Sequence, residues 1–169
     1  YTLQQHKNYL NFYVLLAKED PTMSGLSVVP MDKLEQLVPE YMDKIVNQGA
    51  SAFYPDGNTT LVRSDETGET FTLPVNIDSI AEHPIVTAKD LLLIRGDIIH
   101  KTQDNKKGRT AVSIRCTHSS APISKEKLLS GCAEKKRMIK NNQRTYDEIL
   151  KKFESKDVVT ALDLYGDQI

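Results

Sequence analysis

Three side chains close together in this sequence have the types and spacing to do chemistry: His100, Arg109 and Arg115. An imidazole can bind a metal, and a planar guanidinium offers two parallel N–H donors to a carboxylate and keeps its charge when desolvated. Period-two alternation divides the strand after Gly108 into two rows, since successive side chains of a strand point to opposite faces. One row is Thr110, Val112, Ile114 and Cys116; the other is Arg109, Ala111, Ser113 and Arg115. Two readings of the arginine row are open. With the apolar row on a core, the arginines form a solvated face; inside a barrel, the same row lines a pocket for an anion. His100 likewise reads either as a satisfied structural histidine at the end of an apolar strand or as one ligand of a metal, which needs several convergent donors.

The elements that must position these groups are legible by pattern. Leu91 to Ile94 is an apolar run of strand length, expected to be buried on both faces. Gly96-Asp97 supplies a turn, beyond which Ile98, His100 and Thr102 share one face of a short strand, and 103–108 is a polar loop. Upstream, Tyr9 to Leu16 reads as a strand, and Met31 to Asn47 as an amphipathic helix bent at Pro39. A loop is expected over 48–58, strands over 59–63 and 70–75 around a hairpin loop at 64–69, and a further strand over 84–87. From Ser124 the chain turns helical, with a charged helix over 125–140, a capping box at Thr145-Tyr146-Asp147-Glu148, and a stripe of Tyr146, Ile149, Leu150 and Phe153. Glu134 to Arg137 reads as a solvated face, and Cys116 as core. This divides the chain into a strand-rich region, 1–120, and a helical extension, 121–169.

The run Gly96-Asp97-x-x-His100-x-Thr102-x-x-Asn105 followed by Arg109 resembles the phytanoyl-CoA dioxygenase-like branch of the Fe(II)/2-oxoglutarate oxygenases. Gly25-Leu26-Ser27-Val28-Val29-Pro30 resembles a second strand of that family, although Met31-Asp32-Lys33 stands where the family has Gly-Ser-His. The resemblance spans roughly Tyr9 to Cys116. It implies a mainly β fold with helices: a double-stranded β-helix, the jelly-roll or cupin-like barrel, with its first strands missing, a helical insert and C-terminal helices. It implies Fe(II) held by His100, and 2-oxoglutarate anchored by Arg109, with Thr102 or Ser113 adding a hydroxyl contact. Arg115 is either a contact to a substrate anion or the cosubstrate anchor itself. The implied reaction uses molecular oxygen to hydroxylate a small-molecule substrate while 2-oxoglutarate becomes succinate.

The family's other two iron ligands come as His-x-Asp or His-x-Glu. Of the four histidines, His6, His83, His100 and His118, none has an acid two residues on. Two explanations compete: a C-terminal portion of a longer protein cut just after the motif, or a degenerate relative with His6 as a remnant. The alternatives to an oxygenase are a catalytically inactive barrel that binds a ligand, and a cupin-like isomerase, which needs no inward arginines.

Composition narrows the classes. With 39% hydrophobic residues among 169, one globular domain with a sizeable core is expected. A net charge of −1 argues against a nucleic-acid surface, which carries a basic excess. Cys116 and Cys132 are too few for a disulfide framework, so a reducing, cytoplasmic setting is expected. No apolar run reaches membrane-spanning length.

Overall fold

The computed structural model of the chain describes residues 4, 6–20, 22, 25–46, 48–88, 90–102 and 108–166. It is a mixed fold rich in antiparallel strands. Strand β1 (Tyr9–Lys18) is central to a sheet in the order β6-β1-β8, with β6 spanning Leu91–Arg95 and β8 spanning Arg109–Thr117. A two-stranded sheet pairs β2 (Leu26–Val28) with β7 (His100–Thr102). Between them in sequence lies the insert: α1 (Met31–Leu37), a 3₁₀ turn at Pro39–Tyr41, α2 (Met42–Ile45), the meander β3 (Ser51–Asp56), β4 (Thr59–Ser64) and β5 (Thr70–Leu73), and α3 (Ile77–Ile80). The helix expected over 31–47 is thus broken at Pro39, where the ring removes a helical donor. Over 48–58 the expected loop is a strand instead. Pro55 sits in β3, and β3 is the edge of its sheet, where a missing N–H costs no ladder bond. No strand forms over 84–87; the nearby pairing is a single bridge from Val28 to Glu82.

Register fixes which face each residue occupies, because directly opposed residues share a face. Asn11 opposes Arg115, Tyr13 opposes Ser113 and Leu15 opposes Ala111; Leu16 is the extra residue of a β-bulge, after which Lys18 opposes Arg109. Tyr9, Asn11, Tyr13 and Leu15 are buried. The arginine row therefore lies on the inward face. The apolar row of β8 is turned outward, with Val112 at 41% and Ile114 at 51% exposure, and Cys116 is exposed rather than core. Leu91 and Leu93 of β6 join them at 55% and 51%, so that run is buried on one face at most. Alternation groups residues by face, but what covers a face is set by the elements that pack there.

Two apolar cores form elsewhere. The insert packs Val29, Leu34, Val38, Ile45, Val62, Leu73 and Ile77 together. The C-terminal part packs β9 (Pro122–Ser124) and β10 (Val158–Thr160) with α4 (Lys125–Leu129), α5 (Ala133–Asn141), α6 (Gln143–Phe153) and α7 (Ala161–Tyr165) around Ile123, Leu128, Tyr146 and Phe153. The expected stripe of α6 is there, with Ile149 and Leu150 against the same core. The expected capping box is not. Thr145 lies inside α6, and the reciprocal pair is Thr160 with Asp163 at the start of α7. Lys135 departs most from the expected solvated face: it is fully buried, with Nζ 2.6 Å from Glu66 Oε2 and 2.5 Å from the Lys127 carbonyl.

Candidate functional site

The site is built where the two strand pairs meet. Arg109 opens β8, half-buried on the inward row. Gly25, just before β2, has φ +82°, and its bare Cα meets the Arg109 side chain, with Cδ 3.3 Å from where a Cβ would stand. Both its positive φ and this close approach favour glycine. Gly25 is the residue that lets the guanidinium lie between the sheets. Thr102 opposes Leu26, the next residue along, so it sits at the Arg109 end. Ser113 is four positions from Arg109, roughly 13 Å along the strand. It does not share Arg109's end of the row; its neighbour is Tyr13.

His100 opposes Val28 on the β2–β7 pair. Val28 is three residues from Gly25, and His100 is three residues from Asp97. The His100 Nδ1 lies 2.7 Å from the Ile98 carbonyl. That contact is a hydrogen bond when Nδ1 carries the proton, leaving the Nε2 lone pair outward, the arrangement a metal-binding histidine adopts. The imidazole lines two adjoining cavities. One, of about 200 Å³, is shared with His6, Tyr9 and Asp97; the other, of about 280 Å³, is shared with Ser27, Phe53 and Lys101.

The far end of the arginine row is open. Arg115 is exposed, and its Nε donates to Asn11 Oδ1 at 3.1 Å, while Asn11 is 4% exposed. Burial holds the His6 imidazole below its usual pKa, and the charge of Arg115 adds to that. Burial raises the Tyr9 phenol, partly opposed by Arg115. The Tyr13 hydroxyl is buried on the same face and finds no hydrogen-bond partner among the described residues. Such an orphan is costly unless something else accepts its proton.

An iron of the expected class needs two further ligands beside His100. Among the described residues no three His, Cys, Asp or Glu side chains converge as a metal-binding group. Asp97, the carboxylate sharing a cavity with His100, is held by Arg95 through contacts of 2.5 and 3.0 Å. The described residues therefore do not complete an iron site. They do fit a carboxylate at Arg109, whose guanidinium has no carboxylate partner among them. Asn105 of the sequence motif lies outside the described residues.

Pattern reading had singled out His100, Thr102, Arg109, Ser113 and Arg115. It passed over Asn11 and Tyr13, although the alternation Tyr9-Asn11-Tyr13-Leu15 was there to place two polar side chains on a buried row, and it gave Gly25 no part in holding Arg109. No helix among the described residues is long and apolar enough to cross a membrane. No protein-family model, curated protein or solved structure matches this chain, so the site is read from its own geometry.

Proposed function

We propose that this chain carries the 2-oxoglutarate-binding and distal-histidine part of an Fe(II)/2-oxoglutarate-dependent oxygenase acting on a small molecule. The observation that carries the reading is the Arg109 guanidinium, set on the inward row of β8 against Gly25, just before the strand whose partner carries Thr102 and His100. Strand order supports it. Successive strands β1, β2, β6, β7 and β8 alternate between the two sheets, as the winding of a jelly roll requires, and β7 and β8 each have one edge unpaired among the described residues. Further strands at those edges would close a double-stranded β-helix.

In this reading Arg109 holds the distal carboxylate of 2-oxoglutarate through parallel N–H donors, with Thr102 at the same end. Gly25 keeps the half-buried guanidinium in place. The Tyr13 hydroxyl, on the row beside Ser113, is available to donate to an oxygen of the same ligand. When bound, 2-oxoglutarate supplies two electrons to oxygen as it is decarboxylated to succinate. His100 offers one metal ligand, and no step is derived through the metal.

The incomplete ligand set favours a second reading, a barrel that binds a dicarboxylate without chemistry. Two measurements separate them. Calorimetric titration with 2-oxoglutarate should show binding by the chain, weakened at least about tenfold by Arg109→Gln; absence of binding sinks both readings. Fe(II)-dependent succinate release is then measured on the natural translation product that contains these residues. Release lost in both His100→Ala and Arg109→Ala is the outcome expected for the oxygenase. Binding without release at saturating Fe(II) leaves the binding barrel.

A further inference from the structure

The two cavities that His100 lines differ in character. The one of about 200 Å³ holds the Asp97 carboxylate and the His6 imidazole, whereas the one of about 280 Å³ is walled by Val29, Phe53, Ile77, Ala81 and Ile99, which belong to the insert core or pack against it. The charged pair of the larger cavity cancels itself. Lys101 Nζ lies 2.7 Å from Asp78 Oδ1, and both side chains are exposed, which puts the pair at the rim. Inside, Ser27 opposes Lys101 across the β2–β7 pair and is only 2% exposed. Its Oγ lies 2.8 Å from His83 Nδ1. The backbone sets this contact: the Val28 N–H donates to the Glu82 carbonyl at 2.9 Å and the Glu82 N–H to the Val28 carbonyl at 2.8 Å, a bridge that lays 82–83 along β2. A hydroxyl can donate once and accept twice, so one bond to an imidazole leaves Ser27 Oγ with capacity toward the cavity it lines. With the imidazole proton on Nδ1 the histidine donates, and the serine O–H is free to donate to a ligand. With the proton on Nε2 the serine donates, and its oxygen can accept.

We propose that this cavity binds a compact neutral molecule with an apolar body and one hydroxyl or carbonyl oxygen, which hydrogen-bonds Ser27 Oγ, with His83 as the positioning residue. Size sets the first limit. An apolar cavity of roughly 150 Å³ holds benzene and ligand pockets run from roughly 300 to 1,000 Å³, so about 280 Å³ suits a single substituted ring or a short branched chain. Charge sets the second. A charged ligand would be desolvated against Val29, Phe53 and Ile77 while Lys101 and Asp78 already satisfy each other, a cost that a neutral oxygen with one hydrogen bond does not incur. The binding site stands on this geometry, and it rests on the oxygenase reading only for calling the occupant the substrate, since His100 lines the same cavity.

The test titrates the 169-residue chain with benzyl alcohol, toluene and benzoate, following the backbone amide resonances of Phe53, Ile77 and Ala81 by NMR. Benzyl alcohol is expected to move all three signals. It should bind about fivefold tighter than toluene, which lacks the hydroxyl, and at least about tenfold tighter than benzoate. Ser27→Ala should remove the preference for the alcohol while leaving toluene affinity within about twofold, a pattern that loss of structure would not produce. His83→Ala should shrink the preference without abolishing it. The proposal is overturned if Ser27→Ala keeps the preference, if benzoate binds at these residues as tightly as benzyl alcohol, or if no probe moves the three signals. Benzyl alcohol bound at Ser27 in a chain that fails to bind 2-oxoglutarate leaves the cavity standing and sinks the oxygenase reading. Binding of 2-oxoglutarate that Arg109→Gln weakens, with no probe at Ser27, does the reverse.

Discussion

The core beneath the insert and the β1 side of the inward face of the β6-β1-β8 sheet are both buried, yet they are built from different materials. The first is Val29, Leu34, Val38, Ile45, Val62, Leu73 and Ile77, and the buried Thr60 beside them has its hydroxyl satisfied by the Val75 carbonyl and the Ile77 N–H. The second buries Asn11 and the Tyr13 hydroxyl and flanks them with two arginines. Apolar burial stabilises by roughly 25 cal/mol per Å², whereas a polar group buried without a partner costs about 1–3 kcal/mol. The difference teaches where to look for function: one region holds the fold together, and the other is left incomplete in a way that a polar ligand would complete.

The buried Lys135 gives the largest handle on this comparison, because it is polar, fully buried and fully engaged. Its ammonium ties α5 to Glu66 in the β4–β5 hairpin loop and to the Lys127 carbonyl. Lys135→Ala leaves Glu66 without its buried partner and should cost about 3–5 kcal/mol in urea unfolding; Lys135→Met, which keeps the volume but leaves Glu66 equally unpaired, should cost nearly as much, whereas the double change Lys135→Met with Glu66→Leu should cost much less. A loss under about 1 kcal/mol in Lys135→Ala would place this pair among the weak surface bridges and remove it from the contrast.

Leu34 and Tyr13 test the contrast directly. Leu34 is 0% exposed at the centre of the insert core, so Leu34→Ala should cost about 2–5 kcal/mol. The 2-oxoglutarate affinity of the folded fraction should be unchanged. Tyr13→Phe should do the reverse. Removing an unpartnered hydroxyl leaves stability level or raised by up to about 1 kcal/mol, and calorimetry should show weaker 2-oxoglutarate binding. A large loss of stability in Tyr13→Phe would mean that the hydroxyl is satisfied in the free protein.

How much of this was legible in the sequence follows the same divide. Local chemistry was readable: the break at Pro39, the hairpin loop at 64–69, the stripe of α6, and the grouping of Arg109, Ser113 and Arg115 on one row. What needed tertiary packing was not. Whether that row faced in or out depended on β2 and Gly25 crossing over it, and Val112 and Ile114 looked like core because nothing local says which face is covered. Pro55 disguised β3, since an edge position is not visible from composition. Lys135 looked solvated because its partners, Glu66 and Lys127, come from other elements. The short box Thr160-x-x-Asp163 was overlooked in favour of Thr145-x-x-Glu148, which falls inside a helix nearly continuous with α5. At the site, the roles followed residue type, whereas the approach of Gly25 to Arg109 followed only from tertiary packing.

The smallest expected effect reads the open end of the cleft through His6. Burial and the nearby Arg115 charge lower its folded-state pKa below the usual 6.5, so in the window from 6.5 down to the folded value the unfolded chain binds more protons than the native one. Stability from this group is complete above pH 6.5 and declines as pH falls through the folded pKa. The histidine ring titration followed by NMR should give a His6 midpoint below 6.5. Arg115→Gln should raise that midpoint, because it removes a positive charge that disfavours the imidazolium. Leu34→Ala, in the other region, should leave it where it was. A midpoint indifferent to Arg115→Gln would mean that the two groups are electrically separate and that burial alone lowers the His6 pKa.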